Sequence, residues 1–279
     1  MDGILFYNDV NFDTFHIAES NCKAAWEAKQ FAMNPYEHGT FYLYGKKGNG
    51  RTHLTTSIEM EWAEKGIHFR ELIGQILLFE LQLDELYRDG FSKERFCEEY
   101  ENAEALCIED LEIFEGKKEQ EYIGELVKSF LVKGKPVLLT GEKSPEEYEG
   151  WNEWILKCVN GHSTEIKDPE LELRMSVLKE YMARWHYEFP DEVVRRVAEK
   201  AKTVEDVIIY WRGAINHSAF SRGPLTEEVL MEATKMRLFS EEEMMEVRMG
   251  LQDMLMDWIE ELDKEAEKDE KNFTNFSWD

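Results

Sequence analysis

Residues 41–54 read Phe41-Tyr42-Leu43-Tyr44-Gly45-Lys46-Lys47-Gly48-Asn49-Gly50-Arg51-Thr52-His53-Leu54, and their order decides the fold. The run from Phe41 to Tyr44 is apolar and aromatic, which suits a buried strand. Gly45, Gly48 and Gly50 then carry the chain through a tight loop, and a helix is expected from about Thr52 to Glu64. Strand, glycine loop and helix together make a phosphate cradle. The loop amides and the helix N-terminus face one anion, and Thr52 can reach a magnesium ion. The full pattern is G-x-x-x-x-G-K-[ST], and Arg51 stands at its lysine position. Arginine is longer, planar and differently hydrated, so the exchange is not conservative. The loop amides can still take a nucleotide, but catalysis is put in question.

Outward from this loop, Gly66 stops the helix and Ile67-His68-Phe69 reads as a short strand. The stretch Leu72–Tyr87 is apolar on several faces and predicts a substantially buried helix. Ala105–Ile108 is a second clear strand, running straight into Glu109-Asp110. A helix over Glu119–Val132 and a strand over Pro136–Thr140 follow. Strands separated by helices in this rhythm indicate a parallel α/β sheet. Beyond Ile166 no strand-like run appears. Asp168 is expected to cap a helix whose first residue is Pro169, running to about Trp185, and Pro190 and Thr203 open two more.

Composition narrows the function. The 279 residues carry 59 acidic against 33 basic side chains, a net charge of −26. Phosphate binding rests on Lys and Arg, so direct DNA binding by the chain itself is not expected, although a local basic patch stays open. Apolar residues make up 43%, enough for a real core. Cys22, Cys97, Cys107 and Cys158 form no C-x-x-C pair, which argues against both a metal site and a disulfide framework. The acidic start resembles no targeting signal, and no apolar run approaches the ~20 residues of a membrane span. A cytoplasmic chain with no membrane partner is the expectation, and the sequons at Asn272 and Asn275 then carry no weight.

A second chemical signal lies at Leu106-Cys107-Ile108-Glu109-Asp110. A strand ending in two carboxylates suits a magnesium-nucleotide site opposite its phosphate loop. One acid holds the metal through water, and the other orients the attacking water. Glu109 has one methylene more than the usual aspartate.

These pieces, in order, resemble the AAA+ ATPase domain of the DnaA family of bacterial replication initiators and its Hda-type regulatory relatives. Phe12-Asp-Thr-Phe15-His-Ile-Ala-Glu19-Ser20-Asn21 is similar to the family's F-x-x-F-x-x-G-x-S-N segment, which frames the adenine. Tyr44 through Leu54 resembles Y-G-x-x-G-x-G-K-T-H-L, Cys107 through Phe114 resembles L-I-D-D-I-Q-F-L, and Asp168 through Arg174 resembles P-P-E-L-E-T-R. The resemblance covers about residues 10–220. It implies an AAA+ α/β nucleotide-binding domain over 1–167 with a phosphate loop and parallel sheet. A helical lid follows over 168–220, and then an acidic, methionine-rich helical segment over 221–279.

It also implies a site for ATP or ADP with magnesium. Ile17 would lie near the adenine, and Gly45, Lys46, Lys47, Gly48, Asn49, Gly50, Arg51, Thr52 and His53 would hold the nucleotide. Thr52, Glu109 and Asp110 would hold magnesium, Asp110 would orient water, and Thr140 would sit on the sensor-1 strand. The family's finger arginine falls at Lys157 and its sensor-2 arginine at Glu205; Arg212 would stand in for the latter only if the helix register shifted.

Substitutions at Arg51, Glu109, Lys157 and Glu205 together predict an impaired or lost ATPase. The family's basic DNA-binding module is not found over 221–279, where 17 acidic residues face 7 basic ones. Met244, Val247, Leu251, Met254, Trp258 and Leu262 form one helical stripe there, and Phe273, Phe276 and Trp278 end the chain beside an acid. Gln75-Ile76-Leu77-Leu78-Phe79 resembles a peptide that docks on the sliding clamp, but inside a predicted helix it reads as core. The expected function is a degenerate DnaA-like regulator or adaptor of replication initiation. Its partners would be proteins: the initiator, a helicase or the sliding clamp by family analogy, with homo-oligomers possible. Two alternatives stay open, an active ATPase that loads a helicase or other client, and a scaffold with an empty pocket.

Overall fold

The computed structural model describes residues 10–235. Two compact units divide the chain, residues 1–234 and 235–279, and the second lies outside the described residues except for Lys235. The apolar stripe from Met244 to Leu262 and the aromatic tip lie there too.

Five parallel strands, β1 (Thr40–Tyr44), β2 (Phe69–Ile73), β3 (Ala105–Glu109), β4 (Val137–Gly141) and β5 (Ser163–Glu165), form one sheet in the order β2-β3-β4-β1-β5. Every side chain of β3 and β4 is buried, as strands covered on both faces require. Alternation sorts them into two cores. Phe41 and Leu43 of β1 join Ala105, Cys107 and Leu138 on one face. Tyr42 joins Leu106, Ile108, Val137 and Leu139 on the other.

Helices cover both faces. On the first face lie α1 (Cys22–Met33) and α3 (Arg51–Glu64), between which runs the single turn α2 (Pro35–His38). Phe31, Trp62, Leu54 and Ile58 are fully buried beneath them. Burial of one such large side chain contributes about 2–3 kcal/mol. On the second face lie α4 (Gly74–Tyr87), α5 (Lys93–Glu99), α6 (Gln120–Val132) and α7 (Glu153–Val159). A final layer is helical: α8 (Leu171–Arg184), α9 (Asp191–Ala198), α10 (Val204–Ser221) and α11 (Glu227–Ala233). Its interior is built from Leu178, Val194, Val197, Trp211, Ala214 and Leu230, all fully or almost fully buried. Thr203 and Asp206 form a reciprocal capping box that starts α10. No helix among the described residues is long and apolar enough to cross a membrane.

Three local expectations are corrected. The second strand is Phe69–Ile73 rather than residues 67–69, because pairing with β3 extends as far as Glu109 opposite Ile73. The helix after it accordingly starts at Gly74, where a Cβ would stand 2.6 Å from the Glu109 carbonyl; only glycine permits that approach. This helix is also one-sided: Leu77, Leu78 and Leu81 are buried, while Ile76, Leu86 and Tyr87 are exposed. Finally, Asp168 does not cap α8. The helix starts at Leu171 with Glu170 before it, and the Asp168 carboxylate is taken by other residues described below. The sequence reading also passed over α5.

Candidate nucleotide site

The loop between β1 and α3 is held open by left-handed glycines. Gly48 and Gly50 have φ of 83° and 106°, values that side chains resist. A Cβ on Gly45 would stand 2.3 Å from the Ile166 carbonyl, so the loop also lies tight against the end of β5. Because β4 lies between β1 and β3, the carboxyl ends of these three strands meet at one edge, the usual crevice of an open parallel sheet.

Arg51, the first residue of α3, crosses this edge. Its side chain is only 7% exposed, and Nη2 lies 3.0 Å from Asp110 Oδ1 and 3.7 Å from Glu142 Oε1. Nη1 lies 3.9 Å from Glu112 Oε1. One guanidinium thus meets three carboxylates. Its Nε and Nη1 are nonetheless buried without any hydrogen-bond partner.

Asp110 itself has a left-handed backbone, φ 54°, as the chain leaves β3. Aspartate tolerates that conformation better than most residues, and such departures gather at functional sites. Its amide donates to Thr140 Oγ1 on β4 at 3.3 Å, so the β4 threonine braces the acid. Glu109, the last residue of β3, points into the sheet–α3 interface. Burial first, then the neighbouring Asp110 and Glu71 charges, push its carboxyl up to about 7. Glu59, also buried on α3, is raised to about 8 by burial and by Glu71.

The loop's other polar groups have partners too. Lys46 Nζ donates to Asp168 Oδ2 at 2.5 Å and Asn49 Nδ2 to Asp168 Oδ1 at 3.1 Å. Hydrogen bonding to Lys46 is the main reason the Asp168 carboxyl is held below its usual range. Next to it, Glu170 accepts from the Ser20 amide and hydroxyl at 2.6 and 2.7 Å. Thr52 is exposed on α3. Lys157 is exposed on α7, its ammonium 5.0 Å from the Trp154 ring centre.

Beside the loop is a cavity of about 230 Å³. Phe15, His16, Asn49, Gly50 and His53 line it from the sheet side, and Val177, Tyr181, Arg184, Val204 and Arg212 from the helical layer. His53 Nε2 is 3.0 Å from the Asn11 carbonyl, its ring lies edge-on to Phe15, and burial lowers its imidazole. Ile17 stays outside this lining at 66% exposure; Phe15 and His16 of the same segment face the cavity. Val204, Ile208 and Arg212 follow one helical face, so Arg212 reaches the cavity without any change of register.

The sequence reading did not anticipate Glu112, Glu142 or the helical-layer residues Tyr181 and Arg184. Glu142 carried one signal: it follows β4 at the edge where the other two carboxyl ends already pointed.

A parallel five-stranded sheet, a glycine loop after its first strand, two acids after the third and a helical layer over the cavity define an AAA+ nucleotide-binding fold. The chain belongs to the family described as the bacterial DnaA ATPase domain, whose model matches residues 7–160. It is 29% identical over 202 residues to the chromosomal replication initiator protein DnaA of Bacteroides thetaiotaomicron, covering 71% of this chain and 43% of that one. Against the same protein of Francisella tularensis subsp. novicida it is 27% identical, with 69% and 40% covered. The chain thus spans about two fifths of the length of these relatives. Domain III of Thermotoga maritima DnaA has the same fold at TM-score 0.69 and 20% identity, covering 81% of this chain and 96% of that one. AMPPCP-bound DnaA from Aquifex aeolicus superposes at TM-score 0.64 with 19% identity, covering 76% and 66%.

Proposed function

We propose that this DnaA-type AAA+ chain is a regulator or adaptor of replication initiation. It acts through protein contacts and binds ATP or ADP weakly or structurally, with impaired hydrolysis. The Arg51–Asp110 ion pair carries this reading. It engages the loop cation that would meet the terminal phosphates with the acid that would orient the attacking water. A nucleotide that binds here meets both groups already committed to each other.

The residues fit a nucleotide in two respects. The glycine loop offers backbone amides, and the buried Nε and Nη1 of Arg51 lack acceptors that phosphate oxygens would supply. Lys47 and Thr52 would assist. Magnesium would neutralise phosphate charge, held by Thr52, Glu109 and Asp110. Among the described residues no three His, Cys, Asp or Glu side chains are grouped so as to hold a metal ion, so phosphate oxygens would have to complete its shell. Near neutral pH the raised carboxyl of Glu109 would be a poor ligand.

AAA+ domains stack side against side, and an exposed Lys157 at the finger position would let this chain join such a stack without completing a neighbour's site. The initiator is the partner this reading favours; a helicase or the sliding clamp follows by analogy. Calorimetric titration with ATP and ADP, with and without magnesium, tests the nucleotide part: micromolar to millimolar binding is expected, and no heat at millimolar nucleotide ends it. Mixing with a replication initiator tests the rest. An unchanged initiator ATPase and unchanged assembly would sink it.

A further inference from the structure

Helix α4 carries a second apolar face. Leu77, Leu78 and Leu81 enter the core beside Leu106, Ile108 and Leu111. Ile76, Phe79, Leu83, Leu86 and Tyr87 recur at a 3–4 spacing of their own, which places them on the opposite side of the helix. Ile76 is 53% exposed, Leu86 62% and Tyr87 48%, with Phe79 and Leu83 partly covered between them. From Ile76 to Leu86 the stripe runs about 15 Å, close to three helical turns. Apolar side chains gathered on one exposed face, rather than scattered singly, mark a surface for association. None of them lines the cavity beside the glycine loop.

The charge around the stripe decides what can cover it. α4 itself has Glu80, Asp84 and Glu85 and no basic residue. From the start of β2 to the end of α5, residues 69–99, eight acids stand against four bases. Two of those bases are engaged, Arg88 by Asp84 and Glu99, and Lys93 by Glu121. Glu80 lies one turn beyond Ile76 and is exposed on the flank of the stripe. A second copy of this chain would bring the same acids against these, which opposes that contact, and nucleic acid would bring phosphates.

We propose that the outer face of α4 docks a basic amphipathic helix of a partner protein. The partner's apolar side chains lie along Ile76, Leu83, Leu86 and Tyr87, and its Lys or Arg residues lie toward Glu80. Apolar contact supplies the affinity, as when an amphipathic helix settles on any apolar surface, and the acids select the sign of the partner's charge. This rests on the adaptor reading above, to which it gives a surface and a partner chemistry, and it makes no use of the nucleotide site.

Fluorescence anisotropy on the full chain tests this with three labelled probes: an amphipathic peptide of leucine and lysine about five helical turns long, its leucine and glutamate counterpart, and an oligothymidylate. The lysine peptide is expected to bind and the other two are not. Ile76→Gln combined with Leu86→Gln should weaken it at least about tenfold, since two apolar contacts go and no charge changes. Glu80→Lys should weaken it about threefold. Val132→Gln, at an exposed apolar position that ends α6, should shift it less than about twofold. Thermal melting checks folding, and Leu86→Gln alone, at about threefold, reads the same contact should the double variant not fold. Unchanged affinity in the folded double variant would mean that the peptide adheres to acidic surface elsewhere, and overturns the inference. So does no binding of the lysine peptide, equal binding of the glutamate peptide, or oligothymidylate binding that the double variant loses. Each of these leaves the adaptor reading to the initiator mixing experiment above, so the two fail separately.

Discussion

Arg51 Nη2 and Asp110 Oδ1 lie 3.0 Å apart across the carboxyl edge of the sheet, joining the start of α3 to the end of β3. Glu112 and Glu142 stand at 3.9 and 3.7 Å from the same guanidinium, so removing the arginine leaves three acids facing one another. Unpairing a buried charge is strongly destabilising. Asp110 is 42% exposed, however, and solvent screens part of that cost.

Arg51→Met is therefore expected to lower stability by about 2 kcal/mol at neutral pH, after discounting for solvent. Adding Asp110→Asn should recover a good part of it. Urea denaturation of both variants checks this, and a single variant as stable as the parent would count against the ion cluster.

The buried carboxyl of Glu59 gives a pH dependence. Its folded value of about 8 stands above the ordinary 4.5, so the folded chain keeps a proton that the unfolded chain has lost. The contribution is complete below about pH 4.5 and is lost as pH rises through about 8; Glu109 acts in the same direction up to about 7. Between pH 6 and 8.5 the parent should lose on the order of 2 kcal/mol, and Glu59→Gln distinctly less. Melting curves at both pH values measure the difference; parallel slopes would refute it.

Two glycines separate close approach from backbone preference. Gly116 has φ 66° with nothing within 4 Å of a built Cβ, whereas on Gly45 that atom would overlap the Ile166 carbonyl. Gly116→Ala should cost about 1 kcal/mol, the penalty for the left-handed region alone. Gly45→Ala should cost about 3 kcal/mol or more, because backbone must move. Equal costs, read from denaturation midpoints, would mean the loop is not pressed against β5.

The parts of the fold that local pattern dictates were legible in the sequence. Phe41–Tyr44, the glycine loop and α3 are contiguous, and β3 and β4 are short apolar runs bounded by acids or glycine. The errors arose where a distant residue decides. Asp168 has every local mark of an N-cap, yet Lys46 and Asn49, more than a hundred positions earlier, compete for its carboxylate and win. The end of β2 depends on pairing with β3 and on the gap Gly74 leaves beside Glu109, neither of which periodicity encodes. The acids around Arg51 follow from strand order, since Glu142 meets it only because β4 lies between β1 and β3. Arg212 lies seven residues beyond Glu205, about two helical turns, and so keeps nearly the same face.

The central claim is that a chain of this family, with Arg51 and Asp110 committed to each other, binds nucleotide without hydrolysing it efficiently. Single-turnover hydrolysis of ATP at millimolar nucleotide and magnesium, comparing the parent chain with Asp110→Asn, tests it most directly. The account predicts phosphate release close to the buffer rate in both proteins, with nucleotide binding still measurable. Robust turnover in the parent chain that Asp110→Asn abolishes would contradict it.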